Sequence, residues 1–128
     1  MNAAAAQRYR QVGVETASPG LILLALYDGA IRFGREAAEA IRKGDLSRKG
    51  ERIGRMLAIV GELQSTMNRD AAPELCAKLH QLYDYAALRL ELANRTLDAK
   101  IVEEVIALLQ TLREGWRGAV AQTMAAGR

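Results

Sequence analysis

The chain has 128 residues, half of them apolar, and its 18 basic and 15 acidic residues leave a net charge of +3. That length fits one domain with a single core, and one cysteine, Cys76, excludes an internal disulfide framework. Acids and bases are interspersed, with no Lys/Arg block and no interleaved aromatics, so the footprint of a nucleic-acid-binding protein is missing.

Leu, Ala, Ile and Val carry the apolar content, with one Trp and one Phe, and that mix favours helix over sheet. The N-terminus lacks the charged and apolar regions of a secretory signal. No apolar run approaches the roughly 20 residues of a membrane span. The expectation is a cytoplasmic protein without membrane insertion. Cys76 reads as a small buried apolar residue.

Residues 1–17 are Ala-rich, then polar, with isolated Tyr9, Val12 and Val14, and read as a mobile arm. Ser18 is a good N-cap and Pro19 suits the first helical position. A first helix is predicted over about 19–43, roughly 37 Å long. Gly44 stops it and Asp45 caps the next. The second helix spans about 46–67, with Ile53, Met56, Leu57, Val60, Leu63 and Met67 spaced by threes and fours. It contains Gly50, Gly54 and Gly61. Gly50 and Gly54 share a face, which suits either a close backbone approach or a helix that frays at its start. Pro73 opens a third helix to about residue 94, striped by Leu75, Leu79, Leu82, Ala86, Leu90 and Ala93. After a break near Asp98, a fourth covers about 99–122, with Ile101, Val105, Leu108, Leu112 and Trp116. Residues 18–124 thus form an all-α, antiparallel up-down-up-down four-helix bundle, followed by a tail at 125–128.

No catalytic group assembles. His80 is the single histidine and lies at the edge of its helix stripe. Nothing at ligand spacing suggests a metal, and no phosphate loop or dinucleotide motif appears. No cofactor is expected. Asp28 and Asp84 each follow a tyrosine, but adjacent helix positions point about 100° apart. The four-residue spacings Asp28–Arg32, Arg32–Glu36, Arg35–Glu39 and Glu39–Lys43 read as a solvated charged face.

The first helix carries two apolar seams. Leu24, Tyr27, Ile31, Gly34, Ala38 and Ile41 form one; Leu23, Leu26, Ala30, Phe33 and Ala37 form another. One seam fills a bundle core. The second either packs internally or is left for a partner. Leu-Tyr-Asp recurs at Leu26-Tyr27-Asp28 and Leu82-Tyr83-Asp84. Helices one and three run parallel on the bundle diagonal, so the two tyrosines are expected at similar heights, as packing, with the aspartates on the polar side.

The ordered set Tyr9, Val14, Thr16-Ala17-Ser18-Pro19, Leu26-Tyr27-Asp28-Gly29-Ala30-Ile31 and Phe33 resembles the FliS family of flagellar export chaperones. The likeness continues through Ala40-Ile41, Asp45, Leu82-Tyr83-Asp84-Tyr85, Ala93-Asn94, Arg113 and Trp116. The resemblance implies a cytoplasmic bundle that binds the C-terminal region of flagellin, prevents premature polymerisation and presents it to the export gate. It also implies an N-terminal arm that covers a hydrophobic groove. On that reading Tyr9, Val12 and Val14 belong to the lid. Leu23, Leu26, Phe33, Tyr83, Tyr85, Leu92 and Leu109 belong to the groove. The alternative is a self-associating structural or regulatory bundle, a homodimer through the second seam.

Overall fold

The computed structural model describes residues 18–68 and 70–126, with side chains through Thr123. The arm at 1–17, with Tyr9, Val12 and Val14, lies outside the described residues. Four helices are present among those described: α1 (Pro19–Lys43), α2 (Leu46–Ser65), α3 (Pro73–Thr96) and α4 (Ala99–Ala126).

Local chemistry sets most of the boundaries. Ser18 Oγ accepts from the Leu21 amide at 3.4 Å, and Pro19 follows at the first helical position. Gly44 ends α1 at φ 74°, where its lack of a Cβ makes the left-handed turn easy. Asp45 Oδ1 accepts from the Arg48 amide at 3.1 Å and starts α2. The α3 start has no side-chain cap; instead the Cys76 thiol donates to the Asn68 carbonyl at 3.4 Å across the preceding loop. Leu97 ends α3 with φ 55°, an uncommon conformation for a side chain of its size. Asp98 Oδ1 then accepts from the Lys100 amide at 2.9 Å. The second helix closes two residues earlier than the periodicity predicts, and the third and fourth extend further.

Each helix packs on its two sequence neighbours, and α4 returns to α1 to close the square. Cross-helix pairs run in opposite numerical directions, as antiparallel packing requires: Arg42–Glu103 and Asp28–Arg113 between α1 and α4, Lys49–Asn94 and Gln64–Asp84 between α2 and α3. Tyr27, Ile53, Met56, Leu90 and Leu109 form the fully buried centre.

The α2 glycines neither approach a backbone nor fray the helix. A Cβ at Gly50, Gly54 or Gly61 would meet nothing within 4 Å, and α2 is continuous from Leu46. The close approach is at Gly34 on α1, where a Cβ would lie 2.7 Å from Ile106 Cγ1 and 2.9 Å from Met56 Cε.

Candidate docking surface

The twin Leu-Tyr-Asp segments meet. The Tyr27 and Tyr83 hydroxyls hydrogen-bond across the bundle diagonal, and Trp116 Nε1 donates to Tyr27 Oη at 3.1 Å. Both rings are fully buried. Burial pushes the pKa of each phenol above its ordinary value, most strongly for Tyr27. The aspartates point outward: Asp28 pairs with Arg113, and Asp84 accepts from Gln64 Nε2 at 2.8 Å. Asp28 therefore bonds across to α4, whereas Arg32–Glu36 and Glu39–Lys43 pair along α1.

Both seams of α1 are consumed internally. This helix lies between α2 and α4, so it needs a wide apolar arc. Leu26 is 3% exposed and Ala30 and Ala37 are fully buried; Leu23 and Phe33 are half-buried against the core. The surplus apolar surface is instead on α3. Tyr85 is 46% exposed and Leu88 66%, and Leu92 is half-buried one turn further. These three share the outer face of α3 that leans toward α4.

Polar contacts fix which way that face points. Tyr85 Oη donates to Glu104 Oε1, and Arg89 Nη2 donates to Glu104 Oε2 at 2.8 Å. The Tyr85 hydrogen bond and the Arg89 guanidinium hold the Glu104 carboxyl below its usual range; the same bond raises the Tyr85 phenol. Across from the strip, α4 presents half-buried Ile101, Leu108 and Leu112. The result is a shallow apolar furrow bridged at one level by Tyr85, Arg89 and Glu104.

Of the groove residues expected from the sequence, Tyr85 and Leu92 lie together on this furrow. Leu23 and Phe33 lie elsewhere, on α1. Leu26, Tyr83 and Leu109 are inside the core, at 3%, 1% and 0% exposure, because each points at the bundle axis. Leu88 escaped the sequence reading. Its signal was position: three residues after Tyr85, four before Leu92, and off the buried stripe. The periodicity also put Leu75 and Leu82 on that stripe. Cys76 and Tyr83 take those places, leaving Leu75 exposed and Leu82 half-buried.

Among the described residues no three His, Cys, Asp or Glu side chains gather to hold a metal. Nor is any described helix long and apolar enough to cross a membrane. An open furrow of apolar side chains with a single polar bridge suits an extended or helical polypeptide. Fold and surface together define a helical-bundle binding protein.

Its family follows from comparison. The family described as flagellar protein FliS matches residues 1–123, so the chain belongs to the FliS family. The flagellar secretion chaperone FliS of Bacillus subtilis (strain 168) is 38% identical over 112 residues, covering 88% of this chain and 83% of its own. That of Salmonella typhimurium is 34% identical over 114 residues, covering 85% and 84%. A crystal structure of a bacterial flagellar chaperone matches with a TM-score of 0.76 at 27% identity, covering 93% of this chain and 97% of the other. The protein is a flagellar secretion chaperone, and the relatives' names are those of a chaperone rather than an enzyme.

Proposed function

We propose that this chaperone works in the cytoplasm, where it binds the C-terminal region of flagellin, keeps it from polymerising and delivers it to the flagellar export apparatus. The observation that carries the reading is the exposed strip of Tyr85, Leu88 and Leu92 beside half-buried Ile101, Leu108 and Leu112. A soluble bundle has no internal use for a residue as exposed as Leu88, whereas a docked client buries it.

In this reading Tyr85, Leu88 and Leu92 touch the client directly. Leu26, Tyr83 and Leu109 shape the bundle beneath, and Leu23 and Phe33 serve a client that wraps onto α1. Tyr9, Val12 and Val14 cover the furrow until the client displaces them. A client disordered when free spends several kcal/mol of its binding energy on ordering, roughly 2–5. Binding is thereby limited, which suits a complex that must be released at the export gate.

The test mixes the protein with full-length flagellin and with flagellin lacking its C-terminal segment, by calorimetry. Full-length flagellin is expected to bind and the truncated form to fail. Equal binding to both, or to neither, sinks the proposal. Leu88→Glu is expected to weaken binding about tenfold to a hundredfold, since a buried leucine contributes about 1.5–3 kcal/mol. The same exposed strip supports homodimerisation as a second reading. Light scattering across concentration separates the two: a strict monomer removes the dimer.

A further inference from the structure

A different surface lies across the bundle, on the face shared by α1 and α2. Three guanidinium carbons surround the single phenylalanine: Arg32 at 5.1 Å from the Phe33 ring centroid, Arg55 at 5.6 Å and Arg52 at 5.8 Å. Two carboxylates thread the cluster. Glu36 Oε2 accepts from Arg48 Nη2 at 3.0 Å and Arg52 Nε at 2.9 Å, and its other oxygen lies 3.9 Å from Arg32 Nε. Glu51 pairs with Arg52 and Arg55. Four arginines therefore share two glutamates, and the face keeps two positive charges in excess.

That excess points outward. The side chains of Arg32, Arg48 and Arg55 are 60%, 45% and 61% exposed. Arg55 uses only Nε in its bond to Glu51, which leaves the outer edge of its donor fork for a second carboxylate. The other helix faces differ: Arg89 meets Glu104 one to one, and Arg42 meets Glu103. Beneath the arginines, half-buried Phe33 offers an apolar floor.

We infer that this arginine-roofed Phe33 face is a second docking surface, for an acidic, leucine-bearing segment of another protein, recognised while the client occupies the α3–α4 furrow. Charge complementarity selects the class. Two incoming carboxylates complete the arginine–glutamate network, and an aliphatic side chain between them rests on the Phe33 ring. A phosphate backbone or a lipid surface presents continuous negative charge, which would press on Glu36 and Glu51 as well. A peptide places carboxylates only where the guanidiniums stand. Geometry allows both partners at once, because the α1–α2 edge of the square is opposite the α3–α4 edge. A chaperone held by its arginine face keeps its furrow loaded. The inference goes beyond the client reading, and its first measurement does not use flagellin.

The probe is a fluorescein-labelled synthetic peptide of alternating glutamate and leucine, with its glutamine counterpart as control, read by anisotropy on the full chain. The glutamate peptide is expected to bind, to weaken as salt rises, and to lose about tenfold in affinity on Arg32→Gln/Arg55→Gln, two exposed ion pairs together contributing on the order of 1.4 kcal/mol. Circular dichroism of the double variant is expected to match the parent. No binding, equal binding of the glutamine peptide, or an unchanged affinity in the double variant overturns the inference. A second titration adds saturating flagellin C-terminal segment and is expected to leave peptide binding unchanged. Displacement would assign the arginine face to the client site and overturn its independence. Binding to phosphatidylserine vesicles but not to the peptide would make the face a membrane contact and overturn the partner class.

Discussion

Tyr27 and Tyr83 place two hydroxyls where hydrocarbon would reject a lone one, and they resolve the cost by bonding to each other and to Trp116. No described buried side-chain nitrogen or oxygen is left without a partner. Removing one hydroxyl strands the other. Tyr27→Phe and Tyr83→Phe are each expected to cost about 1–3 kcal/mol, and the double variant less than their sum, measured by urea unfolding. The same pair sets the alkaline limit of the fold. Burial raises both folded-state pKa values above the ordinary 10.0. In the folded chain these phenols hold their protons above that pH, while the unfolded chain releases them. Their contribution is complete below pH 10 and is lost as pH rises beyond it. The slope is about 1.4 kcal/mol per pH unit for each tyrosine. The double phenylalanine variant should unfold with a flatter alkaline limb.

At the scale of the helices, two glycines of similar appearance behave oppositely. Gly34 lets α1 approach Ile106 and Met56, whereas Gly54 faces open solvent. Gly34→Ala is expected to destabilise by about 1–3 kcal/mol through overpacking. Gly54→Ala should stabilise by about 1 kcal/mol, since alanine is the better helix former. Thermal unfolding of both variants checks the contrast. This difference also shows what the sequence could carry. Caps at Ser18 and Asp45, the stop at Gly44 and the proline starts are local signals, so the helix order was legible. The matching heights of Tyr27 and Tyr83 followed from helix length and topology. Which apolar residues stay outside was not legible, because it depends on neighbours. Helix α1 looked oversupplied until it was seen to have two flanking partners. Helix α3 looked ordinary, yet Leu88 remains exposed. The arginine cluster on Phe33 draws on two helices, and no single-helix spacing reveals it.

Taken as a whole, the molecule keeps unlike surfaces on opposite edges of one square: an apolar furrow between α3 and α4, and an arginine-rich face between α1 and α2. The rigid part between them is α1, held on both sides, with the tyrosine diagonal running through the centre. Helix α3 begins differently from α1 and α2, without a side-chain cap. Its first turn is tied to the preceding loop through the Cys76 thiol, which is 5% exposed and bonded to the Asn68 carbonyl. Since the chain has one cysteine, that thiol is a built-in clock for this corner. An alkylating reagent reaches it only in the moments when the corner opens, so the labelling rate counts those openings. Any ligand that clamps α3 along its outer face should slow the clock, whereas one seated on the arginine face should leave it running at its own pace.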